Sequence, residues 1–185
     1  MAILSLLCAG CGEPGAAPSQ APVKARAAAP AAAPVSRGLR LYLASDGLEL
    51  ADGAAGASRP VPFGTSEAEA RARIEPVTGR PRARTDDPHC RVQPRFRLDY
   101  PGGLALGFEA GRFVAWEQSA GAGYRMRSGV AIDSPRAALR ALGPIALRRV
   151  NVTDVPIEEF TAGAVSGVLL GGRVRDFTAT VGACR

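Results

Sequence analysis

Lysine and histidine are nearly missing from this chain. Lys24 is the one lysine among 23 basic residues, and His89 is the one histidine. A single imidazole excludes zinc sites built on paired histidines. It also leaves any serine–histidine–aspartate triad dependent on His89, and no GxSxG elbow is present to carry the serine. Gly163-Ala164-Val165-Ser166-Gly167 misses that spacing. Cysteine is scarce: Cys8 and Cys11 lie in the first eleven residues, leaving Cys90 and Cys184. Cys90 and Cys184 are far apart in sequence and form no CxxC pair to lower a thiol pKa, and two thiols with His89 are too few for structural zinc. His89 adjoins Cys90, but sequence neighbours usually point apart, so both read as loop residues rather than a dyad. No metal, cofactor or catalytic residue is expected.

Aromatic residues make up only 5% of the chain, which leaves little for stacking on bases. The net charge of +6 and a pI near 9.8 would suit anionic partners. The densest basic group, Arg80, Arg82, Arg84, Arg91, Arg95 and Arg97, carries no nucleic-acid motif. It reads as a solvated face, and no nucleic-acid partner is expected. Long apolar runs are absent too; a membrane-crossing helix needs about 20 such residues.

The amino end reads MAILSLLCAGC. Ile3, Leu4, Leu6 and Leu7 form a short apolar run, followed by the small pair Ala9-Gly10 and Cys11. This resembles the end of a bacterial lipoprotein signal, whose cysteine is lipidated after cleavage. No basic residue precedes the run, so the true start codon is expected upstream. Cys8 is the poorer candidate, since bulky Leu7 precedes it. The resemblance implies palmitate on Cys11, a membrane contact through that anchor, and a location in the cell envelope, the domain facing the periplasm or the exterior.

Residues 12–36 are almost all alanine, proline, glycine and small polar residues. Pro14, Pro18, Pro22, Pro30 and Pro34 interrupt any helix, and little is there to bury. The stretch is expected to be a disordered tether. Its 25 residues could reach about 75 Å at about 3.1 Å each. Residues 37–185 then suffice for one ordinary domain with a real core.

That domain reads as α+β, a tandem of two similar halves (about 37–121 and 122–185), each a helix followed by an antiparallel meander, with helices on one face of the sheet. Ser66 with Glu69 is a capping-box pair, and the helix it opens is expected to stop by Pro76. Ser134-Pro135 reads as a second helix start, ended by Gly143-Pro144. Hairpins follow in Gly103–Glu117 and Ala164–Thr178, turning near Gly111 and Gly172. Gly111-Arg112-Phe113 aligns with Gly172-Arg173-Val174, Trp116 with Phe177, and Ser66 with Ser134.

Two resemblances follow. Gly64-Thr65-Ser66, Gly79-x-Pro81 and the hairpin after them resemble the β-lactamase inhibitory protein and the SmpA/OmlA outer-membrane assembly lipoproteins, which implies a tandem helix-plus-sheet architecture. FGT at Phe63, a mid-chain cysteine, GRFVAW and a terminal cysteine resemble an uncharacterised bacterial lipoprotein family. That likeness covers most of Phe63 to Cys184 and implies no activity.

In an exported chain, Cys90 and Cys184 are most simply a structural disulfide. Asp86-Asp87 and Glu158-Glu159 are adjacent acids in loop-like surroundings. Adjacency does not set two carboxylates across a gap as glycoside hydrolysis requires. The expected function is a non-enzymatic envelope lipoprotein that binds another envelope protein or a cell-surface component. An envelope hydrolase and a small-ligand binder stand as alternatives. An exposed apolar patch would favour the binding protein; a pocket with convergent carboxylates would favour the enzyme.

Overall fold

The computed structural model describes residues 38–52, 56–86, 95–119, 121, 123–152 and 155–181. The first elements are strands β1 (Leu39–Ala44), β2 (Gly47–Asp52) and β3 (Arg59–Pro62), joined in antiparallel fashion. Leu41, Leu43, Leu48 and Leu50 line the β1/β2 hairpin and are buried. Its turn needs Gly47: a Cβ there would come within 2.3 Å of the Val61 carbonyl oxygen.

Helix α1 (Glu67–Thr78) follows. Ser66 Oγ accepts a hydrogen bond from the Glu69 amide at 3.3 Å, as the capping pair requires. The return bond of a full capping box is replaced by an ion pair from Glu69 to Arg73 at 2.6 Å. Ala70 and Ile74 anchor its inner face. The helix runs through Pro76 rather than stopping there. One amide is lost, but Gly79 N–H still reaches Glu75 O, and Thr78 Oγ1 donates to Ile74 O.

The chain then forms a meander of β4 (Ala83–Asp86), β5 (Arg95–Asp99), β6 (Leu104–Glu109) and β7 (Arg112–Gln118). A short strand β8 (Arg125–Met126) lies parallel to β1. A 3-10 segment, Arg136–Leu142, leads into a second meander, β9 (Ala146–Val152), β10 (Val155–Ala162), β11 (Val165–Leu170) and β12 (Arg173–Thr180). Two sheets result. One has four strands in the order β3-β2-β1-β8; the other has eight in the order β4-β5-β6-β7-β12-β11-β10-β9.

The α+β expectation is therefore corrected. Strands take 55% of the described residues and helices 17%. The protein is mostly β with two sheets, not a tandem of helix-plus-sheet units. Ser134 caps no α-helix: its Oγ accepts from the Ala131 amide, and Pro135 opens the 3-10 segment. Only Leu139 is buried there. One anchor over seven residues offers no apolar stripe to hold an α-helix, and short 3-10 pieces serve as connectors.

What recurs is smaller than a domain half. The β6/β7 and β11/β12 hairpins both turn through two residues of positive φ, Ala110-Gly111 and Gly171-Gly172. Both are bulged at matching places, between Gly107 and Phe108 and between Val168 and Leu169. Gly64 N–H donates to Phe113 O and Phe113 N–H to Thr65 O; Asp133 N–H donates to Val174 O and Val174 N–H to Ser134 O. Arg112 reaches Gly64 O as Arg173 reaches Asp133 O. Ser134 thus matches Thr65, not Ser66. The hairpins meet where β7 pairs with β12 in the middle of the large sheet.

The core fills one face of that sheet. Phe108, Phe113, Trp116, Phe160 and Phe177 project from it and are essentially inaccessible. Leucines of the small sheet, Ile74 of α1 and Leu139 cover them. Trp116 Nε1 donates to Ala44 O at 2.7 Å, tying the sheets together, and its ring meets Phe177 edge-on at 5.5 Å. Gln118, also buried, donates to Gly102 O, Ser119 O and Gly121 O and fixes the loop beside β7.

Candidate binding face

Strand alternation sends every second side chain of the large sheet away from the core. At the centre of this outer face the residues are small or polar: Ala105, Gly107, Ala115, Ser166 and Thr178. Charges there are matched. Arg97 bonds Asp99 and Glu117, each at 2.6 Å, and Arg148 bonds Glu159 at 2.5 Å. Burial works against the Arg97 charge, but its carboxylate partners outweigh that and raise its pKa. Asp176 also shifts upward, first through burial and then through the charge of Glu117, against a hydrogen bond from the Val168 backbone.

One corner differs. Val150, Val155, Ile157, Val168 and Leu170 share the outer face where β9, β10 and β11 run side by side. Ile157 pairs with Val150 across β10/β9, and Val168 stands opposite Glu159. Val155 is 46% exposed and Leu170 38%. Val150, Ile157 and Val168 are half-buried beside them, next to the Arg148–Glu159 pair.

The first meander shows that the sheet does not require them. Leu106 pairs with Leu98 as Gly167 pairs with Phe160. Counting along the strands from these pairs, Arg95 matches Ile157, Gly107 matches Val168 and Glu109 matches Leu170. The same positions are thus polar or glycine in one meander and aliphatic in the other. The outer face of the large sheet is thus more apolar at this corner than at the matching corner of the first meander.

Two concavities lie elsewhere. A cleft of about 280 Å³ sits where the β1/β2 turn meets Met126, Leu142 and Val165. Its polar wall is an ion pair, Arg127 Nε to Glu49 Oε2 at 2.5 Å, with Arg127 also donating to Gly56 O. A wider groove of about 630 Å³ runs between the 3-10 segment and β9, lined by Ala137, Leu139, Ile145 and Leu147 and by Arg136 and Arg140. Among the described residues no three His, Cys, Asp or Glu side chains gather as metal ligands, and no helix is long and apolar enough to cross a membrane.

Cys11, Cys90, Cys184, His89, Asp87 and Arg91 lie outside the described residues. Glu158 and Glu159 are not in a loop. They sit on β10 and face opposite sides of the sheet, Glu158 towards Arg136 and Arg149, Glu159 towards Arg148. Asp86 is on β4, paired with Arg84, whose guanidinium lies 3.5 Å from the centre of the Phe96 ring. Of the arginines of the expected basic face, Arg84 and Arg97 are thus engaged with separate partners. The aliphatic corner escaped the sequence reading because Val168-Leu169-Leu170 is an unbroken apolar run. Only the pairing shows that Leu169 points inward and its neighbours outward. Comparison of the chain with protein-family models, curated proteins and solved structures finds no match.

Proposed function

We propose that this chain is a non-enzymatic lipoprotein of the bacterial envelope that holds another envelope protein against the aliphatic corner of its large sheet. The carrying observation is the contrast between meanders: Ile157, Val168 and Leu170 stand where Arg95, Gly107 and Glu109 stand in the first. Lipid on Cys11 and the tether of residues 12–36 would anchor the domain yet let that corner stand clear of the bilayer. The resemblance to the uncharacterised lipoprotein family accords with this reading.

The contrast also supplies the test. Ile157→Arg with Leu170→Glu installs the residues that the first meander already tolerates at those places. Affinity capture from the native envelope, followed by mass spectrometry, should recover a partner with the wild type and lose it with the double variant. Equal recovery by both would reject the corner as the binding face.

A further inference from the structure

The outermost strand beside that corner is β9, seven residues long and paired along its whole length with β10 on one side. No described residue pairs with its other side. A strand edge with free amides and carbonyls is a template for one more strand. On this reading of the corner as a protein-binding face, we infer that β9 receives an extended, acidic and aliphatic segment of the partner, added to the sheet as a ninth strand.

Apolar surface lies on both sides of the edge. On the outer face the aliphatic corner reaches it through Val150. On the inner face, Leu147, 40% exposed, forms the rim of the groove over Leu139 and Ile145. An added strand sends alternate side chains to each face, so both sets meet aliphatic surface.

Charge selects the occupant. Among the described residues, Arg136, Arg140, Arg148 and Arg149 line this edge, and the carboxylates that pair with them are Glu158 and Glu159. Arg140 has no ion-pair partner among the described residues. A second copy of β9 would set Arg148 and Arg149 against themselves, and like charges directly opposite are destabilising. The tether, with Lys24 and Arg26 against Glu13, has the wrong sign as well. An acidic strand of another protein satisfies the edge.

The test uses the purified full chain and three fluorescein-labelled octapeptides: a repeat of valine-valine-glutamate-glutamate, which sends both residue types to each face, the same peptide with every backbone amide methylated, and the valine-valine-lysine-lysine repeat. Fluorescence anisotropy should show saturable binding of the first. Methylation should weaken it by at least about tenfold, since strand pairing rests on backbone donors. The lysine peptide should not bind, and Arg148→Glu with Arg149→Glu should reverse the preference between the two charges. Uptake indifferent to methylation would overturn strand addition, as would uptake of the lysine peptide. So would no uptake of any peptide alongside binding to vesicles of anionic lipid. If capture still depends on Ile157 and Leu170 while the peptides fail, the corner stands and the edge proposal falls.

Discussion

Arg95 and Ile157 occupy matching places on the outer face of the large sheet, three residues before Leu98 and Phe160, which pair alike with Leu106 and Gly167. One is charged and the other aliphatic. Arg95 pairs with Glu109 on β6, and Ile157 pairs with Val150 on β9. This contrast is the observation on which the proposed protein-binding face rests.

Trp116 is the joint between the two sheets, and its hydrogen bond to Ala44 O crosses from one to the other. Trp116→Phe removes that donor and leaves space beside Phe177. The expected loss is about 1 to 3 kcal/mol, measured by urea denaturation followed by circular dichroism. A change smaller than about 0.5 kcal/mol, the range of ordinary surface substitutions, would show that the joint does not hold the sheets together.

Tyr100 sets an alkaline limit on stability. Burial, and next the charge of Glu75, push its hydroxyl up from 10.0 to about 12. The folded state therefore keeps this proton after the unfolded chain has released it. Stability from this group is complete below pH 10 and is lost as pH rises from about 10 through about 12. Burial raises Tyr124 as well, so it contributes in the same direction. Urea midpoints should fall across that window, and Tyr100→Phe should flatten the fall. An identical alkaline slope in the variant would remove Tyr100 from the account.

Asp176 acts at the acid end. Its raised pKa means that the folded state prefers the carboxyl protonated. The group's stabilising contribution is full below its ordinary value of 3.8 and is lost as pH rises through the raised one. Asp176→Asn keeps an acceptor for the Val168 amide without the charge beside Glu117. The variant should unfold at higher urea than the wild type at pH 7, and the two should converge at pH 3. A lower midpoint at pH 7 would contradict this assignment.

Local chemistry was legible where it is decided locally. Ser66 caps α1 because a side-chain oxygen three residues before a free amide needs no distant partner. Gly111 and Gly172 turn their hairpins because the turn requires positive φ. The small sheet was missed although its signal is present: leucines alternate on both sides of Asp46-Gly47, a strong hairpin pair. The second helix was over-read, since Arg136–Leu142 suits a helix in composition but has only Leu139 to bury. The junction of β7 with β12 joins segments far apart in the chain, and no local pattern encodes it. The aliphatic corner depends on that junction and on the bulge at Val168/Leu169, which together decide which residues of an apolar run face outward.

The central claim is tested most directly by light-induced cross-linking in cells that make the protein. Benzoylphenylalanine is placed in turn at Leu170 and at its counterpart Glu109. Both positions lie on the outer face of the same sheet, each just before its hairpin turn. The account predicts a discrete adduct with another envelope protein from position 170 and none from position 109. An adduct from position 109 alone, equal adducts from both, or none from either would contradict it.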